Sequence, residues 1–144
     1  MLKNKKTRRE IALYIFFGAL TTAVSFGTYY LFRQVFPGYG TSVPVALSWV
    51  CAVTFAFFTN KRWVFGSKVR GVRIIKEAAL FYAARIFTLL IDLLLMFLLV
   101  DLTGLTGGWY ELGARIAVSA VVLTLNYILS KVIVFKKVID NGNK

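Results

Sequence analysis

The chain has 144 residues, enough for one domain, and is 58% hydrophobic and only 17% charged, with a mean hydropathy of +0.71. Soluble domains carry roughly 45–50% apolar and about 25% charged residues, so this composition argues against a disordered chain and points to a membrane. Eighteen Lys and Arg face six Asp and Glu, with no His and the single cysteine Cys51, which excludes a histidine proton shuttle, an internal disulfide and a cysteine metal cage.

The chain opens on a basic tail that holds Lys3, Lys5, Lys6, Arg8 and Arg9. The first apolar run is Ile11 to Phe32, matching the roughly 20 residues a membrane helix needs. A basic stretch before an apolar run also describes a signal peptide. This run is longer than the usual core of about 7–15 residues, and its removal would break the pattern that follows. Along it Ala19, Ala23 and Gly27 recur every fourth residue, a spacing that suits close helix packing in a compact bundle. Pro37 and Gly38 interrupt the chain, and a second span runs from Ser42 to about Thr59. Asn60, Lys61, Arg62 and Trp63 follow, the residue types that snorkel or sit at a membrane interface, and Val64 and Phe65 are expected to tuck back into the membrane surface. Lys68, Arg70, Arg73 and Lys76 complete a central basic region. The third span is Ala78 to Val100. Gly104, Gly107 and Gly108 mark the next linker, and the fourth span runs from about Leu112 to Ser130, with Gly113 and Ala117 again four apart. Lys131, Lys136, Lys137 and Lys144 close the chain.

Charge placement sets the expected topology. The basic residues gather on one side, and the other has little beyond Arg33, Asp101 and Glu111. The positive-inside rule then puts both termini and the central region in the cytoplasm. The basic excess needs no nucleic acid; contact with anionic headgroups accounts for it.

The second half echoes the first. Glu10-Ile-Ala-Leu-Tyr14 resembles Glu77-Ala-Ala-Leu-Phe81, Thr21 aligns with Thr88, and Asn60-Lys-Arg-Trp-Val-Phe65 resembles Ser130-Lys-Val-Ile-Val-Phe135. The offset is 67 residues at the start and 70 at the end, which a three-residue insertion in the second outer linker reconciles. The expected architecture is all-α, four transmembrane helices forming two helical hairpins as a parallel repeat, with 1–144 as a single transmembrane domain.

Polar residues interrupt the last two spans: Arg85 and Asp92 in the third, Arg115 and Asn126 in the fourth. An ionisable group at the bilayer centre costs about 2.5–3.5 kcal/mol on insertion scales. Arg85 and Asp92 share a helix face with Phe81 and Thr88, and Arg115 points nearly the same way as Ser119 and Asn126. If the faces meet they form a polar seam, with Arg85 and Asn126 in its inner half, Asp92 above them, Arg115 outermost and Asn60 bordering the inner end. Asp92 then neutralises Arg85 or Arg115, and Asn126 either bridges helices or meets a ligand. Asp92 being the one acid within the predicted spans, the seam is expected to keep a positive excess, suited to a phosphate held bidentately by a guanidinium. A catalytic site would need a carboxylate cluster, a metal site or a nucleophile with its base, so an enzyme is not expected, nor a metal or cofactor.

Phe16-Phe17-Gly18 with Thr21 and Ser25, Asn60-Lys-Arg-Trp-Val-Phe65, Phe81 with Arg85, and Asn126 with Val134-Phe135 together carry a resemblance. Over about Arg9 to Phe135 the chain resembles the GtrA-like family (GtrA/GtcA type) of small four-span bacterial membrane proteins. The resemblance implies a flippase that moves an undecaprenyl-phosphate-linked monosaccharide across the cytoplasmic membrane, for glycosylation of teichoic acid or another envelope polysaccharide. It implies work beside membrane glycosyltransferases that load and unload the lipid, with a homo-oligomer as a further expectation. The substrate-binding residues expected on this reading are Arg85, Asn126, Asn60, Arg115, Asp92, Phe81 and Lys61. The rival reading is a non-transporting subunit that anchors or assembles a polyprenyl-phosphate glycosyltransferase. A small cation exporter fits less well, because the first span holds no carboxylate after Glu10.

Overall fold

A computed structural model describes residues 2–39, 41–104 and 108–136. Gly107, Lys137 and Lys144 of the sequence reading lie outside the described residues. The described residues are helical, in the order α1 (Leu2–Val35), α2 (Ser42–Thr59), α3 (Arg73–Met96) and α4 (Gly108–Leu129). With their continuations, four stretches are long and apolar enough to cross a membrane: Lys5–Val35, Ser42–Val64, Arg73–Asp101 and Gly108–Phe135.

All four outrun the predicted apolar runs. Lysine, arginine and glutamate are good helix formers, so nothing in the basic tail stops α1 before Leu2, and Arg73 to Glu77 form the first turn of α3 rather than a loop. Pro37 ends the first helix as expected, in a single 3₁₀ turn, Pro37–Tyr39. The other helices end in wider turns. α2 continues as a π-helical turn, Asn60–Val64, in which the Phe65 amide donates to the Asn60 carbonyl at 2.9 Å. Gly66, at φ +60°, then turns the chain away, a conformation open to glycine without a Cβ penalty. α3 ends similarly in Phe97–Asp101, and α4 in Ser130–Lys136.

The described residues divide into two compact units between Lys68 and Val69. In the first, α1 packs on α2 and on the Asn60–Val64 turn; the rings of Tyr14 and Phe65 lie 6.4 Å apart at 54°. In the second, α3 packs on α4 and on the Ser130–Lys136 turn; the rings of Phe81 and Phe135 lie 6.1 Å apart at 52°. Val64, Val134 and Phe135 are buried in protein. This corrects the expectation that Val64 returns to the membrane surface: the π turn carries it inward, as the turn after α4 does Val134 and Phe135.

A second correction concerns the small-residue rows. Ala19, Ala23, Gly27, Gly113 and Ala117 are all exposed, and a Cβ added to Gly27 or Gly113 would meet nothing within 4 Å. The covered face of α1 is instead the one with Tyr14, Phe17, Thr21 and Thr28, and that of α4 the one with Ala114, Val118, Val122 and Asn126. Larger side chains fill the helix contacts, and the small residues face outward beside exposed Phe16, Phe26, Leu90 and Ile116. In water such a surface would aggregate; in a bilayer it is the lipid-facing surface, with the backbone polar groups satisfied inside the helices.

Candidate functional site

On α3 the residues Glu77, Phe81, Arg85, Thr88 and Asp92 follow one another at intervals of four, four, three and four, one stripe on a helix with 3.6 residues per turn. The stripe faces α4. Glu77, Phe81 and Thr88 are fully buried, and Arg85 is half-buried with its guanidinium carbon 4.8 Å from the centre of the Phe81 ring. A guanidinium there gains from the ring quadrupole, more so where water is scarce.

Two contacts fix the register between α3 and α4. The Thr88 hydroxyl donates to Asn126 Oδ1 at 2.8 Å, and lies 3.1 Å from the Arg85 carbonyl of its own helix. Arg115 Nη1 donates to Asp92 Oδ2 at 3.0 Å. Residue 88 against 126 and 92 against 115 is the antiparallel order, so the polar faces of the third and fourth spans do meet. The choice left open for Asp92 falls to Arg115. This pair is partly open, with 54% of the Arg115 side chain exposed against 16% for Asp92. Asn126 bridges the two helices from a buried position. Ser119, expected on the same face, is exposed.

The sequence reading missed Glu77. It starts the third span at Ala78, which leaves Glu77 at the inner boundary. In the structure α3 begins at Arg73 and Glu77 is among the fully buried side chains. Its signal was present in the repeated Glu-Ile/Ala-Ala-Leu-aromatic segment. Glu77 adds a second acid to the stripe, so Asp92 is not the one acid in the spans.

Asn60 and Lys61 belong to the first unit. Asn60 is 3% exposed, and its Oδ1 is buried with no hydrogen-bond partner. Lys61 Nζ donates to Ser67 Oγ at 3.1 Å. Trp63 stacks on Phe17 with ring centres 5.4 Å apart and planes at 20°, and the Arg62 guanidinium lies 5.7 Å from the Trp63 ring centre. The second unit has a related feature at Lys131, whose Nζ donates to the Tyr127 hydroxyl at 3.0 Å.

Comparison with known proteins decides the family. The model of the GtrA/DPMS transmembrane domain matches residues 13–135. The chain belongs to the GtrA/DPMS transmembrane family. It is 34% identical over 132 residues to the cell wall teichoic acid glycosylation protein GtcA of Listeria monocytogenes, covering 88% of this chain and 85% of that protein. A second relative, the GtcA protein of Listeria innocua, is 34% identical over 128 residues with the same coverage. The membrane protein YwcD of Bacillus subtilis is 34% identical over 131 residues, covering 90% of this chain and 99% of YwcD. No solved structure gives a significant match. As a member of this family with four helices long and apolar enough to span a bilayer, the chain is a multi-pass membrane protein.

Proposed function

We propose that this protein translocates a polyprenyl-phosphate-linked monosaccharide, of the undecaprenyl type, across the bacterial cytoplasmic membrane for glycosylation of teichoic acid or a related envelope polymer. The observation that carries the reading is Arg85, a guanidinium held half-buried in an apolar helix against the Phe81 ring, one turn from the Thr88–Asn126 bond. A charge kept there against a cost of a few kcal/mol suits a phosphate, which a guanidinium binds with two parallel hydrogen bonds. The GtcA relatives, named as cell wall teichoic acid glycosylation proteins, support the pathway.

In this mechanism Arg85 receives the phosphate and Asn126 offers its amide Nδ2. The Asp92–Arg115 pair is the outer station: Arg115 releases Asp92 and takes the phosphate as the head group leaves. Phe81 holds the Arg85 guanidinium against its ring, Lys61 adds to the basic surface that attracts an anionic head group, and the polyprenyl tail stays in lipid. No bond is made or broken, so the protein is a transporter rather than an enzyme, acting between membrane glycosyltransferases. Both termini lie in the cytoplasm under the positive-inside rule. The two helix pairs are read as a parallel repeat, supported by the similar ring pairs Tyr14–Phe65 and Phe81–Phe135.

The test uses purified protein in liposomes, with a polyprenyl-phosphate hexose supplied to one leaflet and its appearance on the other followed enzymatically. A hydrogen bond to a charged group contributes about 1.5–3 kcal/mol, and about 1.4 kcal/mol is tenfold, so Arg85→Ala should lower transport at least about tenfold. Arg85→Lys, which keeps charge but not the two-pronged geometry, should fall between. Equal transport by wild type and Arg85→Ala overturns the mechanism. Absence of transport in both, with normal surface glycosylation in cells carrying Arg85→Ala, would favour the assembly-subunit reading.

A further inference from the structure

Among the described residues two asparagines are buried, and they differ in how their side chains are satisfied. Asn126 Oδ1 accepts the Thr88 hydroxyl at 2.8 Å. Asn60 Oδ1 is buried without a donor, in a residue that is 3% exposed. A buried acceptor left unpaired costs about 1–3 kcal/mol, and native structures keep few of them. The Asn60 backbone is not the reason it stays unpaired: its carbonyl takes the Phe65 amide at 2.9 Å and its N–H is bonded to carbonyls of the preceding turn. Among the buried side-chain nitrogens and oxygens of the described residues, Asn60 Oδ1 is the one left without a partner. The neighbouring Thr59 hydroxyl is engaged within its own helix, on the Phe55 and Ala56 carbonyls at 2.9 and 3.1 Å. Asn60 also opens a π-helical turn, a geometry that recurs at functional sites.

We propose that Asn60 Oδ1 is the specificity contact for the sugar, accepting a hydroxyl of the transported monosaccharide. The inference rests on the translocation reading above and deepens it by naming the part of the substrate that Asn60 reads. An ionised phosphodiester offers acceptors and no donor, so it cannot satisfy a carbonyl oxygen; a sugar hydroxyl can. Arginine has the reverse chemistry, donors only, and serves the phosphate. The atom is covered in the present conformation, so the sugar reaches it when the Asn60–Val64 turn opens. An unpaired buried acceptor lowers the barrier to that opening, because the closed state already bears the cost of the missing bond.

The experiment compares wild type, Asn60→Ala and Arg85→Ala in nanodiscs at pH 8, where a phosphate monoester is fully ionised. The probes are a polyprenyl-phosphate hexose, a polyprenyl-phosphate N-acetylhexosamine and bare polyprenyl phosphate, and both affinity and thermal midpoint are measured. Asn60→Ala should cut the preference for the better-bound sugar lipid over the bare lipid about 3- to 10-fold, the range for one neutral hydrogen bond. Its affinity for the bare lipid should stay unchanged, and its thermal midpoint should hold or rise, since an unsatisfied group is removed. Arg85→Ala should weaken all three probes, the doubly charged bare lipid most. A drop in thermal midpoint for Asn60→Ala with unchanged preference would make Asn60 structural and overturn the proposal. Equal weakening of sugar-bearing and bare lipids, or no change in any affinity, would overturn it as well. Failure of Arg85→Ala to weaken any probe, with the Asn60 selectivity intact, would count against the phosphate role of Arg85 and leave the sugar contact standing.

Discussion

The Thr88 hydroxyl has one proton and lies within reach of two acceptors, the Arg85 carbonyl on its own helix and Asn126 Oδ1 on α4. The second is the shorter contact and the one that joins the helices. Interhelical hydrogen bonds in membranes average about 0.6 kcal/mol and reach about 1.7, less than burial alone suggests, because the separated helices also find partners. A double-mutant cycle of Thr88→Val and Asn126→Leu, read by reversible unfolding in detergent micelles, should give a coupling of about 0.6–1.7 kcal/mol. Coupling near zero would mean the two side chains do not meet. The Asp92–Arg115 pair should matter less to stability. Arg115 lies two turns from the start of α4 with over half of its side chain exposed, so its charge can reach the interface without Asp92. Removing Asp92 should therefore act on transport more than on folding.

At the scale of elements, the π turns decide which residues reach the interior. The turn after α4 buries Val134 and Phe135 and leaves Val132 outside, and Phe135 there meets the Phe81 ring. Phe135→Ala should destabilise the protein by roughly 2 kcal/mol, below the 3–5 kcal/mol of water-soluble cores, because the unfolded reference in lipid is already apolar. Val132→Ala, on the exposed side of the same turn, should leave the thermal midpoint within error. A similar loss for both variants would show that the turn does not select a face. Where α3 meets α4, the Tyr110 hydroxyl donates to the Leu99 carbonyl at 2.9 Å, so the start of α4 ties down the π turn that ends α3.

For the whole molecule the open quantity is orientation, which the charges address. Lys5→Cys and Lys68→Cys, each in a Cys51→Ser background, should react with an impermeant maleimide only after the cells are permeabilised. Gly38→Cys and Leu102→Cys should react in intact cells. The opposite pattern would invert the topology and with it the entry side proposed for the lipid. The outward small-residue rows on α1 and α4 leave an apolar surface that lipid covers.

Much of this protein was legible as sequence. Apolar runs of about 20 residues located four spans because a bilayer imposes length and composition on any helix that crosses it. Spacing alone put Phe81, Arg85, Thr88 and Asp92 on one face, because helical geometry is local. The meeting of that face with Asn126 and Arg115 was conditional on packing, and the tertiary structure decided it, giving Asp92 to Arg115 and Thr88 to Asn126. Glu77 was hidden because hydropathy marks where an apolar run starts, whereas a helix starts where its backbone can begin hydrogen bonding, here five residues earlier at Arg73. The outward direction of the small residues and the unpaired oxygen of Asn60 were equally invisible in the chain. Both depend on what lies opposite a side chain, and only three-dimensional packing supplies that.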